Sequence, residues 1–315
     1  MIEQPMHILC AMDDAYVPYY GIMLTSLFEN NKEERFSVHV LTAGLGEEAC
    51  SLLHRTVRAY ANDIHFISID ESYFAGCPIR QGDHVTLATY YRLIAATVLP
   101  ESISRILWLD GDMIVNCAIR PLWDTELNGV AFAAVTDESF IHADIYQRLQ
   151  LNADIPYTSA GVLLINLDYW RKVHAADQFM ECVRHRNESL LFHDQDTLNI
   201  VFENKKKLLP LTWNFQSGFI TSWYFPSYPA SFRQEILQAA DNPCIIHYSG
   251  PSKPWFKHTV HPYRAFFEKY KALSSWKGLP SKRVGLKRSF RDWTGKTLRM
   301  TRLRPSPYII RDQNP

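Results

Sequence analysis

The chain is 315 residues long, 47% of its residues are hydrophobic, and its 33 basic and 33 acidic side chains leave a formal net charge of zero. This length allows one large domain or two modest ones with a sizeable core, and the neutral charge excludes a global field that would attract nucleic acid. The sequence has no signal-peptide pattern, no apolar run of transmembrane length and six scattered cysteines without a CxxC pair, which favours a cytoplasmic protein with reduced thiols.

Short apolar runs alternate with helical patterns through the first half of the sequence. In chain order we predict a strand at 7–11, a helix at 17–30, a strand at 37–42, a helix at 47–60, a strand at 64–69, a helix at 86–98, strands at 105–109, 130–135 and 161–166, helices at 193–203 and 231–240, and a strand at 244–247. Near-continuous apolar strands alternating with helices are typical of a mostly parallel sheet covered by helices. The predicted fold class is therefore α/β, with a mostly parallel central sheet flanked by helices.

The apolar strand at 105–109 ends in Asp110-Gly111-Asp112. Residues i and i+2 of an extended chain point to the same side, so both carboxylates can converge on one small, hard cation while Gly111 permits a sharp turn. Open α/β sheets place ligands at the carboxyl ends of their strands. A diphosphate is the expected ligand of such a cation. The alternative is a solvated turn at the end of a strand.

Two segments before the acidic pair carry candidate binding residues. The first strand ends in Ala11-Met12-Asp13-Asp14-Ala15-Tyr16, where a helix begins. Its free N–H groups suit a phosphate or a nucleobase edge, and the alternative is that Asp13 or Asp14 only caps the helix. Arg92 lies among aromatic residues and needs an anionic partner, either Asp110 or a ligand phosphate.

Two segments after the acidic pair add further candidates. His193-Asp194-Gln195-Asp196 begins a predicted helix, where acidic side chains either complement the helix dipole or belong to a site. His247-Tyr248-Ser249-Gly250-Pro251-Ser252-Lys253-Pro254-Trp255 follows the last strand. An imidazole can complete a metal site begun by two carboxylates, and such mixed ligands suit Mn²⁺ or Mg²⁺. Gly250 allows close backbone approach, and Lys253 can meet a phosphate.

Together with Ser159-Ala160-Gly161-Val162-Leu163-Leu164-Ile165-Asn166, these segments resemble glycosyltransferase family 8, in the order found in its bacterial lipopolysaccharide galactosyl- and glucosyltransferases. The resemblance covers roughly residues 6–275. It implies a single GT-A-like domain that binds a nucleotide sugar. The implied reaction moves galactose or glucose, with retention of configuration, from UDP-galactose or UDP-glucose to a saccharide acceptor such as lipopolysaccharide core or another surface glycan.

The resemblance also implies roles for individual residues. The ligands of the cofactor Mn²⁺ (or Mg²⁺) would be Asp110, Asp112 and His247. The nucleotide would contact Ala11, Asp13, Asp14, Tyr16, Asp110, Gly111, Gly250 and Lys253. The donor sugar would contact Arg92, Asp137, Ser159, Ala160, Asp194 and Gln195, of which Asp194 and Gln195 would be catalytic. Two positions depart from the family pattern: Ala15 replaces a polar residue that can touch the nucleotide, and Ser159 replaces an asparagine near the sugar hydroxyls.

The implied mechanism leaves one choice open at this stage. Gln195 matches the residue nearest the far face of the sugar, but an amide oxygen is a poor nucleophile. A front-face, oxocarbenium-like transfer stabilised by Asp194 or Gln195 is therefore preferred over a covalent intermediate. Two other functions are alternatives. One is a non-catalytic nucleotide-sugar-binding protein. The other is a haloacid-dehalogenase-like phosphatase, because Asp110-Gly111-Asp112 also resembles the acidic motif of that group.

The end of the sequence has a different composition from the rest. Residues 281–315 contain ten basic and two acidic side chains. Five apolar residues lie among these basic side chains, and Trp276 lies just before them. The five are Phe290, Trp293, Leu298, Met300 and Leu303. We predict a catalytic domain at 1–275 and a basic, aromatic tail at 276–315, with a helix at 289–303 that docks on an anionic membrane at the cytoplasmic face of a bacterial inner membrane. The alternative is a solvated or nucleic-acid-binding tail.

Overall fold

Strands and helices alternate along most of the chain. This computed structural model describes residues 4–79, 86–257, 259–283 and 306–315. The strands are β1 Met6–Ala11, β2 Phe36–Thr42, β3 Asp63–Ser68, β4 Arg105–Leu109, β5 Met113–Val115, β6 Phe132–Thr136, β7 Thr158–Asn166, β8 Lys206–Leu208, β9 Phe215–Gln216 and β10 Ile245–His247. The α-helices are α1 Val17–Glu29, α2 Glu47–Arg58, α3 Ala95–Val98, α4 Arg120–Trp123, α5 Ala143–Leu149, α6 Leu167–Lys172, α7 Ala175–Arg186, α8 His193–Val201, α9 Ala230–Asp241 and α10 Arg264–Leu273.

A seven-stranded mixed sheet in the order β3-β2-β1-β4-β7-β6-β8 forms the centre of the domain. Strands β3, β2, β1 and β4 run parallel, and β8 runs parallel to β6. Strand β7 is antiparallel to both of its neighbours, β4 and β6. Successive side chains of β1 and β2 enter two different apolar clusters, Ile8 and Val38 in one and Leu9 and Leu41 in the other. The prediction of an α/β fold with a mostly parallel sheet is confirmed.

The predicted helix at 86–98 has a different form from the one expected. Leu87–Ile94 is a 3₁₀ helix, and only α3 is α-helical. Side chains three residues apart lie on the same side of a 3₁₀ helix. Thr89 and Arg92 therefore both reach Asp194 at the start of α8. Because the stretch from Tyr90 to Ile94 is buried throughout, its apolar pattern does not distinguish the two helix types.

A second, three-stranded sheet in the order β5-β10-β9 joins distant parts of the sequence. Strand β5 begins directly after Asp112, and β10 ends at His247. The two strands are antiparallel, with Met113 paired to His247. This register places the acidic pair that follows β4 beside the histidine that ends β10.

The segment after α10 packs onto the domain where it is described. The Trp276 indole fills the space beside Gly21 of α1 and is 8% exposed. Tyr308 forms a β-bridge with Thr221. Trp276, which the sequence places in an exposed tail, is thus a core residue instead, because the missing side chain of Gly21 leaves room for it. The predicted helix at 289–303 lies outside the described residues.

Among the described helices, none combines the length and the apolar composition that a membrane span requires.

Candidate active site

Two carboxylates and one imidazole meet beyond the carboxyl end of β4. Ligand atoms of Asp110, Asp112 and His247 all lie within 4.8 Å of one another. No other group of three potential ligands lies this close together in the described part of the chain. A Cβ on Gly111 would lie 2.6 Å from the Tyr20 ring, so glycine at this position permits the close approach of the acidic turn to α1.

The chemistry of these three side chains fits a hard divalent cation with oxygen and nitrogen ligands, such as Mn²⁺ or Mg²⁺. Lys253 forms an ion pair with Asp112, and His247 Nε2 lies 3.3 Å from Asp112 Oδ1. Burial opposes the ionisation of Asp112, but the charges of Lys253 and His247 outweigh it and hold the pKa of this carboxyl well below its usual range. Asp112 is therefore an ionised carboxylate, which is the form that metal binding would require.

The orientation of His247 is set by a buried amide. His247 Nδ1 lies 2.9 Å from Asn214 Oδ1. Because an amide oxygen can only accept, this contact favours a proton on Nδ1, which leaves the lone pair of the neutral ring on Nε2, facing Asp112. Burial lowers the pKa of His247, but the nearby carboxylate of Asp112 raises it more. A cation at this site would therefore compete with a proton for Nε2.

Arg92 links the acidic pair to the start of α8. Its guanidinium lies 3.1 Å from Asp110 Oδ1 and 2.9 Å from Asp194 Oδ2. It also donates to the Ala160 carbonyl and stacks over the Trp108 ring at 4.0 Å. Burial raises the pKa of Asp194, and the charge of Arg92 partly offsets this. Of the two partners that the sequence leaves open for Arg92, the structure pairs it with Asp110.

A cavity of about 750 Å³ opens beside the acidic pair. Pockets of this size bind ligands as large as a nucleotide sugar. The loop after β1 and the start of α1 form one side of the cavity, and the loop after β10 forms another. Its lining residues are Ala11, Met12, Asp13, Tyr16, Tyr19, Tyr20, Thr86, Ala88, Thr89, Arg92, Trp108, Asp110, Gly111, Asp112, Gly250, Pro251, Lys253, Trp255, Phe256 and Lys282.

Every predicted nucleotide-binding residue except Asp14 lines this cavity. Asp14 is exposed, and its carboxylate accepts a hydrogen bond from Gly46 N–H at 3.0 Å instead. Asp13 lines the cavity and also accepts from Tyr16 N–H at 3.1 Å, so it stabilises the turn before α1. Gly250 has a φ of +73°, a left-handed conformation that favours glycine.

The predicted donor-sugar residues form a polar layer behind the cavity, and only Arg92 among these six lines it. Gln195 Oε1 accepts from Ala160 N–H at 2.9 Å, and Gln195 Nε2 donates to Asp137 Oδ2 at 3.2 Å. Burial raises the pKa of Asp137. Ser159 is buried in the same layer. The structure thus brings this set together around the start of α8 and the first residues of β7.

Several residues of the site are not identified by the sequence patterns. Tyr19 and Trp255 stack with ring centroids 3.8 Å apart and form a wall of the cavity. Trp255 belongs to the segment that begins at His247, so its place after Lys253 is a usable signal. Asn214 and Lys282 lie in segments without a motif, and only the folded chain brings them to the site.

Comparison with known proteins agrees with this geometry. The sequence profile described as Glycosyl transferase family 8 matches residues 7–259. General stress protein A of Bacillus subtilis (strain 168) is 28% identical over 278 residues, which cover 87% of this chain and 96% of that protein. A lipopolysaccharide 1,2-glucosyltransferase of Escherichia coli is 26% identical over 277 residues, which cover 87% of this chain and 80% of that protein.

Solved structures show the same architecture. The galactosyltransferase LgtC, in a crystal structure with donor and acceptor sugar analogues, has a TM-score of 0.78 and 26% sequence identity to this chain. The match covers 87% of this chain and 99% of that one. The expectation of a GT-A-like domain is confirmed by this likeness.

Proposed function

Because this chain belongs to glycosyltransferase family 8, we propose that it is a metal-dependent enzyme that transfers a hexose from a UDP-sugar to a saccharide acceptor with retention of configuration. The observation that carries the proposal is the convergence of Asp110, Asp112 and His247 beside a cavity of about 750 Å³. Membership in a transferase family removes the basis for the phosphatase alternative. The intact ligand set with Lys253 favours an enzyme over a non-catalytic binding protein.

The proposed metal site acts on the leaving group. A bound Mn²⁺ would supply Lewis-acid stabilisation of the negative charge that develops on the departing UDP. Asp110, Asp112 and His247 would hold it, and Lys253 would place a further positive charge near the same phosphates. Arg92, which lines the same cavity, keeps Asp110 in position.

Asp194 and Gln195 are the proposed catalytic residues at the donor sugar. The amide oxygen of Gln195 already accepts a hydrogen bond from Ala160, and an amide is a weak nucleophile. Asp194 is a buried carboxylate held by Arg92. These groups are suited to electrostatic stabilisation of an oxocarbenium-like sugar, which supports a front-face transfer over a covalent intermediate on Gln195. Asp137 would fix the Gln195 amide, and Ser159 and Ala160 would border the sugar.

Galactose or glucose is the proposed donor sugar, and a lipopolysaccharide core or another surface glycan is the proposed acceptor. Proteins similar to this chain include a glucosyltransferase and a galactosyltransferase. Galactose and glucose differ only in the configuration of one hydroxyl, so the donor must be identified by experiment. The test is to incubate the protein and Mn²⁺ with UDP-galactose, UDP-glucose or UDP-N-acetylglucosamine and to measure UDP release. We expect UDP release from at least one of the two hexose donors. The matched control is Asp112→Ala, which should release none while remaining folded.

Nucleotide choice is tested separately by calorimetry with UDP, GDP and CDP in the presence of Mn²⁺. UDP should bind most tightly. Tighter binding of GDP than of UDP would contradict the proposed donor class, and so would the absence of UDP release from every donor in the panel.

We also propose that the segment at 276–315, through its basic residues outside the cavity, docks the enzyme on an anionic surface at the cytoplasmic face of a bacterial inner membrane. Ten basic residues against two acidic ones after residue 280 support this, since each cation near such a surface contributes about 1 kcal/mol. Replacing Lys287, Arg288 and Arg291 with glutamine should release the protein from anionic vesicles at low salt. Truncation after Lys277 is not a clean test, because it also removes Lys282 from the cavity. Equal vesicle binding by the variant and the wild type would contradict docking.

A further inference from the structure

Three cationic side chains line the cavity among the described residues: Arg92, Lys253 and Lys282. Arg92 and Lys253 already form ion pairs with acidic side chains of the site. Lys282 is exposed and makes no ion pair within the described ranges. Its ammonium lies 5.0 Å from the centre of the Tyr19 ring. Lys282 is therefore a cation that remains available to an anionic ligand.

Backbone pairing holds Lys282 at the cavity although it lies beyond α10. Its N–H donates to the Trp255 carbonyl at 2.9 Å, and its carbonyl accepts from Lys257 N–H at 3.0 Å. These two bonds form a parallel bridge opposite Phe256. The loop after β10, which carries Lys253, and the segment after α10 are thus adjacent walls of one cavity.

The Tyr19 side chain provides an independent sign of a ligand. It is 2% exposed, and its hydroxyl has no hydrogen-bond partner in the described part of the chain. Its ring is fixed by the stack on Trp255. A buried hydroxyl without a partner is costly, and a ligand oxygen in the cavity would remove that cost. Burial raises the pKa of Tyr19 to about 12, so the hydroxyl remains a donor at neutral pH.

We propose that the Lys282 ammonium and the Tyr19 hydroxyl form an anion-binding subsite that contacts the diphosphate of the donor nucleotide. The inference rests on the proposed function, because it assumes that a nucleoside diphosphate occupies the cavity. Phosphate oxygens accept from both groups, and a lysine meets them as a point charge. The negative charge of the diphosphate grows as the sugar leaves, so Lys282 stabilises the departing nucleotide more than the intact donor. The segment after α10 is then part of the donor site.

The test compares UDP with uridine, which lacks phosphates, by calorimetry on the full chain. Lys282→Ala should weaken UDP binding about fivefold, as expected for one exposed charge, and leave uridine binding unchanged. Lys282→Arg should retain most of the UDP affinity. Lys277→Ala is the matched control, because Lys277 is also an exposed lysine after α10 but does not line the cavity. It should bind both compounds as the wild type does.

A second variant separates binding from folding. Tyr19→Phe keeps the aromatic ring and removes only the unpartnered hydroxyl, so it should weaken UDP binding while the Tm of the nucleotide-free protein stays the same or rises. Wild-type UDP affinity in Lys282→Ala would overturn the subsite. A proportional loss of uridine affinity would overturn it too, since Lys282 would then only support the structure. If the wild type itself fails to bind UDP, the proposed function fails, and this inference with it.

Discussion

Replacing Gly161 with alanine is the sharpest structural test of the metal site. Gly161 lies in β7, and its carbonyl accepts from Asp110 N–H at 3.1 Å. A Cβ on Gly161 would lie 2.6 Å from His247 Cε1 and 2.8 Å from Met113 Cε. Carbon atoms prefer separations of about 3.5–4.0 Å, so the His247 imidazole must move by roughly 1 Å.

A displacement of that size takes His247 out of range of a cation. Metal–ligand distances vary by only about 0.2 Å, and disturbing the groups that orient a ligand typically lowers metal affinity by about 10–100-fold. Adding a methyl group to a packed core lowers the free energy of unfolding by about 1–3 kcal/mol. We therefore expect Gly161→Ala to fold with reduced stability and to bind Mn²⁺ at least about tenfold more weakly than the wild type.

The assay is calorimetric titration of Mn²⁺ in the presence of UDP, with urea unfolding measured on the same samples. Gly76→Ala is the matched control, because a Cβ on Gly76 meets no atom within 4 Å. The control should match the wild type in both measurements. Wild-type Mn²⁺ affinity in a folded Gly161→Ala protein would refute His247 as a ligand.

Three other perturbations have defined outcomes. Arg92→Lys keeps the charge but loses the fork that reaches both Asp110 and Asp194, so UDP-hexose hydrolysis should fall by at least about tenfold; unchanged kcat would contradict this role. Asn214→Leu removes the acceptor for His247 Nδ1 and should weaken Mn²⁺ binding about tenfold, with partial recovery of hydrolysis at high Mn²⁺; equal affinity would contradict it. Burial, helped by His7 and His65, lowers the pKa of His39 from 6.5 to about 4, so the unfolded chain takes up the proton first as the pH falls. As the pH falls from 6.5 to 4, the free energy of unfolding should therefore decrease by up to about 1.4 kcal/mol per pH unit. In His39→Gln, the free energy of unfolding from urea denaturation should depend less on pH over the same range.

The parts of the fold that sequence predicts are those encoded by local patterns. Strands β1 to β4 and helices α1 and α2 have apolar spacing that matches one secondary structure, and Pro18 marks the start of α1. The convergence of the two carboxylates of the acidic pair is also predictable from sequence, since residues i and i+2 of an extended chain point to the same side.

The parts that sequence does not predict depend on contacts between distant segments. Strand β5 is three residues long, and its pairing with β10 cannot be read from either segment alone. Trp276 has cationic neighbours that suggest a surface anchor, but its burial depends on Gly21, far away in α1. Lys282 reaches the cavity only because the chain returns to pair with residues 255–257.

We propose above that a cation held by Asp110, Asp112 and His247 is required for the turnover of a UDP-hexose. The most direct measurement is the rate of UDP release from the preferred donor by the full-length protein, first in excess chelator and then after Mn²⁺ is restored. The same measurement on Asp112→Asn, with urea unfolding to verify its fold, is the control. We expect chelation to abolish turnover and Mn²⁺ to restore it in the wild type but not in Asp112→Asn. Full turnover by the wild type in excess chelator would show that no bound cation is required.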